Sequence, residues 1–204
     1  MASSYKMTYF DIRGLGEPIR YLLAYGGIEY EDKRIAFEEW PAMKNSTPYG
    51  KLPTVEIDGQ LFHQSAAIAR YIAKQLKLTG DDDVEAMMCD IVVDTFTDLR
   101  VQTSSWFREK DEAIKEKKRG PLLNEIVPFY MERFEKELEK NSGNFVKGKL
   151  TWADFYVAAV MEVIGDMCKE NFLEKYPNLK ALNEKISNIP QIKDWIQKRP
   201  ITPF

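Results

Sequence analysis

The first residues alternate with period two: Tyr5, Met7 and Tyr9 on one side, Lys6, Thr8 and Phe10 on the other. Strong β formers occur on both faces, which predicts a strand inside a covered sheet. Gly14 and Gly16 break the run, and Pro18 suits the first turn of a helix. Ile19, Leu22, Leu23 and Tyr25 then follow a 3.6-residue period until Gly26 and Gly27 stop it. A second short strand is predicted over 30–36. This makes a β-α-β unit of about 35 residues, whose strands should run parallel with a right-handed crossover. Residues 40–44 suggest only a short helical turn, and 48–53 read as loop. Strand 54–57 starts directly after Pro53, and Asp58-Gly59 is a hairpin signal returning the chain through 60–63 as an antiparallel strand. A helix is predicted from Ser65, read as its N-cap, through Ile68, Tyr71, Ile72 and Leu76.

The pattern changes at the polar break 79–83, after which every apolar repeat is helical. A long helix is expected over 84–109, with Met87, Ile91, Asp94, Thr95 and Asp98 in its middle, then a charged turn ending at Gly120-Pro121. A helix over 121–140 and a Gly-containing loop over 141–149 follow. Leu150-Thr151-Trp152-Ala153-Asp154-Phe155 opens a buried helix: Thr151 can cap it, Asp154 can bond back, and Leu150 with Phe155 forms a staple. Shorter helices near 179–186 and 192–198 lead to the tail. The expected fold is α/β plus all-α: a thioredoxin-like domain over 1–79, in the order βαβ-ββα, and an all-helical domain over 82–204.

Composition removes several classes of function. The 44% hydrophobic content is ordinary for a globular chain of 204 residues, and no apolar run approaches the roughly 18 residues a membrane span needs. Met1-Ala2-Ser3-Ser4 has neither a basic nor an apolar leader region, so a soluble, cytoplasmic protein is expected. The net charge of -3 comes from 29 basic and 32 acidic residues spread along the chain, which gives no basic patch for nucleic acid. Cys89 and Cys168 lie in Met-, Val- and Ile-rich helical segments and read as core filling. His63 is the only histidine, so a zinc site or a His-activated nucleophile has nothing to be built from, and no metal is expected.

Gly14-Leu15-Gly16 after a strand invites a dinucleotide reading, but the third glycine and the following ribose-binding acid are missing. The strand-to-helix turn Asp11-Ile12-Arg13-Gly14 also lacks the Cys-x-x-Cys of a redox thioredoxin. A phenol remains. Composition alone favours a structural role for Tyr9, yet a Tyr O–H at the top of a strand can also stabilise an anion by donating to it. Gln64 and Ser65 stand at a strand-to-helix junction, where Ser65 is an ordinary N-cap or part of a carboxylate site. Pro53 suits a turn, or a cis bond that exposes the Leu52 backbone to an extended peptide. Trp40, Lys44 and Lys51 are loop residues that either face solvent or position an acidic peptide. Asp94 and Asp98 lie one helical turn apart on one face.

Several stretches together resemble the sigma class of cytosolic glutathione transferases over essentially the whole chain. They are Tyr5-Lys6-Met7-Thr8-Tyr9-Phe10-Asp11-Ile12-Arg13-Gly14, Gly50-Lys51-Leu52-Pro53, Asp58-Gly59-Gln60-Leu61-Phe62-His63-Gln64-Ser65, Ile68-Ala69-Arg70-Tyr71-Ile72 and Leu150-Thr151-Trp152-Ala153-Asp154-Phe155. That class includes invertebrate transferases and the vertebrate haematopoietic prostaglandin D synthases. The resemblance implies that Tyr9 activates the thiol of glutathione, the co-substrate, and that Pro53 is cis beside Leu52, whose backbone would pair with the cysteinyl part. Trp40, Lys44 and Lys51 would serve the glycyl end, Gln64 with Ser65 the γ-glutamyl end, and Gly50 would also contact glutathione. Asp98 would reach the glutathione of the partner subunit in a homodimer. A small hydrophobic electrophile would meet Phe10, Gly14, Trp106 and Tyr156. The alternatives are a glutathione-dependent isomerase of the prostaglandin D synthase type and a crystallin-like structural or ligand-carrying relative. Two positions depart from the class pattern: Leu15 stands where prostaglandin synthases commonly have an arginine, and Thr97 where they have an acid. Arg13 is the candidate substitute for the first, and Asp94 with Asp98 is a thin ligand set for a hard cation.

Overall fold

The structure, a computed structural model, describes residues 3–146 and 148–204; Met1 and Ala2, from the stretch read for a leader, and Lys147, in the expected 141–149 loop, lie outside the described residues. The chain forms two compact units: the part up to Lys77 together with Ile189–Pro203, and Leu78–Asn188 with Phe204.

The first unit runs β1 (Tyr5–Phe10), α1 (Glu17–Tyr25), β2 (Glu31–Ile35), the short α2 (Trp40–Met43), β3 (Thr54–Ile57), β4 (Gln60–His63) and α3 (Ser65–Gln75). The sheet has the order β2-β1-β3-β4, with β1 parallel to β2 and antiparallel to β3. Met7 and Val55 face each other in the register at its centre, both fully buried. The β3–β4 hairpin turns through Asp58 (φ 50°) and Gly59 (φ 84°), the paired left-handed conformation a two-residue hairpin loop demands.

Register decides where a site can form. Phe10 lies beside Ile35, Thr8 beside Thr54, and Thr54 beside His63. The end of β1, the start of β3 and the end of β4 therefore share one edge of the sheet, which brings Tyr9, Pro53 and Gln64 to the same side.

In the second unit, α4 (Asp83–Phe107) is capped by Asp82, whose carboxylate accepts from the Glu85 N–H over 2.8 Å. The charged turn expected to end at Gly120-Pro121 is instead helical: α5 (Glu112–Pro121) passes through both residues and continues by a π-helical segment, Leu122–Ile126, into α6 (Val127–Lys140). Asp111 starts α5 by accepting from the N–H groups of Ala113 and Ile114. Pro121 removes one donor and crowds the preceding turn, and the wider π turn that follows lets the chain pass this defect without leaving the helix.

The central helix α7 (Trp152–Cys168) begins with the expected capping box. Asp154 accepts from the Thr151 N–H (2.7 Å) and hydroxyl (3.1 Å) and also from the Phe145 N–H (3.0 Å), all out of contact with solvent. The unit closes with α8 (Pro177–Ser187), whose Asn178 and Leu179 N–H groups bond to the Glu135 carboxylate of α6. Cys89 and Cys168 are free and buried. Among the described residues no helix is long and apolar enough to cross a membrane.

The last helix, α9 (Pro190–Lys198), belongs to the first unit. Between α3 and α9, α1 is enclosed far beyond one apolar face: Glu17 through Leu23 are all buried, the charged pair Glu17 and Arg20 included.

Candidate active site

Tyr9 ends the buried face of β1 with 7% of its surface exposed. Its hydroxyl oxygen accepts the Leu15 backbone N–H over 3.1 Å. A phenol that accepts at a lone pair can also donate, and the incoming N–H draws density from the oxygen and makes the O–H a stronger donor.

The turn carrying Leu15 fits against the ring because of its glycines. Gly14 takes φ +43°, and a Cβ there would lie 2.6 Å from the Tyr9 hydroxyl oxygen. A Cβ on Gly16 would lie 2.6 Å from the Met7 methyl and 2.8 Å from Cδ1 of the Tyr9 ring. The Gly-x-Gly spacing thus serves the close approach of backbone to an aromatic side chain rather than to a phosphate.

Phe10, on the opposite face of β1, centres an aromatic cluster. It stacks on Phe37 (centroids 4.7 Å apart) and meets Trp40 edge-on at 5.6 Å. Trp40 opens α2, and Lys44 follows it directly. The Lys44 side chain lies over Gly50, where a Cβ would come within 3.3 Å of its Cγ and Cε. The exposed Lys44 thus runs past Gly50, in the loop that carries Lys51 and Leu52. The Leu52–Pro53 peptide is cis.

Gln64, and not Ser65, is the residue flanking α3; Ser65 is the first helical residue. Gln64 takes φ 76°, ψ 100°, outside the conformations L-residues favour, and its side chain does not cap the helix. The register that ends β4 at His63 forces the chain to swing through this one residue into the helix. The first-turn N–H groups of α3, left without a side-chain cap, present the positive end of the helix to the edge where Tyr9 sits.

The remaining sequence candidates lie in the second unit. Asp94 and Asp98 are exposed on α4. Trp106 is 9% exposed, with its indole N–H bonded to the Lys115 carbonyl at 2.9 Å and the Lys115 ammonium 5.5 Å from its ring. Tyr156 is 1% exposed, edge-on to Trp152. Among the described residues no three His, Cys, Asp or Glu side chains converge as a metal site would require. Arg13 directs its guanidinium to the Thr202 carbonyl at 3.5 Å.

The Leu15 amide escapes a reading of the sequence because a backbone donor has no residue-type signature. Its signal is the pair of flanking glycines, which mark close approach without naming what approaches. The sheet edge therefore gathers a polarised phenol, an uncapped helix N-terminus, a lysine and an extended segment beside a cis-proline. Such a set can bind a peptide carrying carboxylates and stabilise an anion near its middle.

Family models match the chain in two consecutive parts: residues 5–74 match a glutathione S-transferase N-terminal domain, and residues 97–199 a glutathione S-transferase C-terminal domain. A glutathione S-transferase from Anopheles gambiae is 44% identical over 97% of this chain and 98% of its own length. The haematopoietic prostaglandin D synthase of Gallus gallus is 41% identical, with 98% of each chain covered. Among solved structures, prostaglandin synthase D of Nilaparvata lugens superposes with a TM-score of 0.94 at 46% identity, over 98% of this chain and all of that one.

Proposed function

Because this chain belongs to the glutathione S-transferase family, we propose that it joins the thiol of glutathione to small hydrophobic electrophiles, with Tyr9 stabilising the thiolate. One observation carries the assignment of Tyr9: its oxygen takes the Leu15 N–H, which aims the phenol and strengthens its O–H as a donor to the sulfur. A free thiol ionises near pH 8.5, and lowering that by about 2 units requires roughly 2.7 kcal/mol in favour of the anion. A charge-assisted hydrogen bond contributes about 1.5–3 kcal/mol, so one polarised phenol supplies most of it. The thiolate attacks the electrophile, the new bond is to sulfur, and the leaving group or a protonated adduct departs with no covalent enzyme intermediate. Proximity supplies the rest of the rate.

The rest of the tripeptide is assigned by chemistry. The γ-glutamyl carboxylate goes to Gln64, Ser65 and the α3 N-terminus, the cysteinyl backbone to Leu52 beside Pro53, and the glycyl carboxylate to Trp40, Lys44, Gly50 and Lys51. Phe10, Gly14, Trp106 and Tyr156 are the proposed contacts of the electrophile, and Asp98 that of the glutathione bound by a partner subunit. The protein is read as a cytoplasmic homodimer. Exposed Leu61, Phe62 and Tyr71 in the first unit, and Met87 and Ile91 on α4 in the second, are apolar surface of the kind such an interface covers.

The test is direct: purified protein, reduced glutathione and a chlorodinitrobenzene should give conjugate at a rate that requires all three. Absence of enzyme-dependent conjugation across a panel of aryl halides and unsaturated carbonyls overturns the reading. A second reading, isomerisation of a prostaglandin endoperoxide with glutathione as cofactor, draws support from the prostaglandin D synthase names of the Gallus and Nilaparvata proteins. Isomerisation gives product in excess of the glutathione supplied, whereas conjugation consumes one glutathione per product.

A further inference from the structure

Beneath the turn that presents Leu15 lies a buried charge cluster outside the proposed glutathione contacts. Glu17 and Arg20, one turn apart on α1, are both fully buried and paired at 3.1 Å. Both Glu17 oxygens are engaged: one by Arg20 Nη1, the other by Trp195 Nε1 (2.8 Å) and Arg199 Nη1 (2.9 Å). Trp195 lies on α9 and Arg199 directly follows it. The Arg20 guanidinium is shared in turn. Nε bonds to Asp32 of β2 at 3.2 Å, while Nη1 donates to the carbonyls of Ile12 (3.0 Å) and Arg13 (3.4 Å).

Those carbonyls belong to the turn itself. Its backbone passes between Arg20 and Tyr9 so tightly that a Cβ on Gly16 would sit 3.1 Å from Arg20 Nη1 and 2.8 Å from the Tyr9 ring. The guanidinium carbon is 6.0 Å from the ring centroid. One unbroken series of contacts therefore runs from α9 through Glu17, Arg20 and the 12–13 carbonyls to the Leu15 N–H and the phenol oxygen. A buried ion pair adds little net stability, so the polar partners converging on Glu17 are better explained by what they hold in place.

We propose that Glu17 and Arg20 are positioning residues for the Tyr9 phenol, and that the C-terminal helix acts on thiol ionisation through them. This rests on the reading of Tyr9 as thiolate donor. Loosening Arg20 or Glu17 lets the turn lift, lengthens the Leu15–Tyr9 hydrogen bond and weakens the phenol as a donor, with the glutathione contacts at the sheet edge left in place.

The experiment uses the intact protein and follows the ultraviolet absorbance of bound thiolate against pH. It compares the parent with Arg199→Gln, Arg199→Lys, Trp195→Phe and Tyr9→Phe, since neither Arg199 nor Trp195 is among the residues assigned to glutathione. Arg199→Gln and Trp195→Phe should raise the ionisation midpoint by about half a unit, which is about a threefold loss of conjugation below the midpoint. A raised midpoint leaves less thiolate at low pH, so the loss should vanish as pH rises above it. Glutathione affinity should stay within about twofold, Arg199→Lys should restore the midpoint, and Arg199→Gln should add nothing in a Tyr9→Phe background. An unchanged midpoint in both α9-side variants overturns the proposal, whatever happens to rate or thermal stability; if Arg199→Gln fails to fold, Trp195→Phe decides alone. A midpoint that Tyr9→Phe itself leaves unmoved instead refutes the reading of Tyr9.

Discussion

The Leu15 backbone N–H donates to the Tyr9 hydroxyl oxygen over 3.1 Å, so the phenol is aimed and polarised by a main-chain group that, at residue 15, only a proline would remove. Leu15, whose side chain is apolar, still supplies a donor through its backbone.

The glycine before it keeps that geometry possible. In Gly14→Ala the new methyl would start 2.6 Å from the Tyr9 oxygen, on a backbone with φ +43°. The expected cost is about 1–3 kcal/mol of stability. Displacing the hydroxyl by the better part of an ångström should lower kcat/KM for conjugation by roughly 10- to 100-fold. Denaturant midpoints and steady-state rates measured together check both, and a variant with full activity would show that the Tyr9 position is not set by this turn.

Gln64 holds a positive φ of 76° that strains a residue with a Cβ more than it strains glycine. Gln64→Gly should therefore lose little or no thermal stability, because relief of backbone strain offsets the extra entropy of glycine in the unfolded chain. Its KM for glutathione should rise about tenfold as a charge-assisted contact is lost. Unaltered glutathione affinity would remove Gln64 from the site.

Burial pushes the thiols of Cys89 and Cys168 up to about 11. At neutral pH both should resist an alkylating reagent in the native protein and react together once it unfolds. Mass spectrometry of alkylated protein across a denaturant series gives the count, and fast native modification of either would contradict its placement in the core.

Asp154 accepts from the Thr151 N–H and hydroxyl and from the Phe145 N–H, tying the start of α7 to the loop before it. Asp154→Ala leaves these buried donors without that acceptor, and the expected loss is about 3 kcal/mol or more, read from the urea midpoint. A loss below about 1 kcal/mol would mean that the capping box contributes no more than an exposed one.

Features that depend on neighbours in sequence are legible in the residues themselves. The parallel β1–β2 pair, the Asp58-Gly59 hairpin and the Thr151–Asp154 capping box each rest on residues whose spacing alone specifies the geometry. Local signals mislead where longer-range packing overrides them. Gly120-Pro121 reads as a stop, yet a π turn absorbs the proline and the helix goes on. Ser65 reads as a cap, yet the pairing of β4 through His63 moves the flanking position to Gln64. The enclosure of Glu17 by Trp195 and Arg199 joins residues 178 and 182 positions apart, and no periodicity reports such a contact. Within the candidate site, the residue types are legible, while the orientation of Tyr9 is not.

The central claim is that the Tyr9 hydroxyl stabilises the thiolate of bound glutathione. Titrating that thiol by ultraviolet absorbance in the parent and in Tyr9→Phe tests it most directly. The parent should show a midpoint about 2 units below the value near 8.5 of a free thiol, and Tyr9→Phe should return it most of the way while still binding glutathione. Equal midpoints in the two proteins would contradict the account.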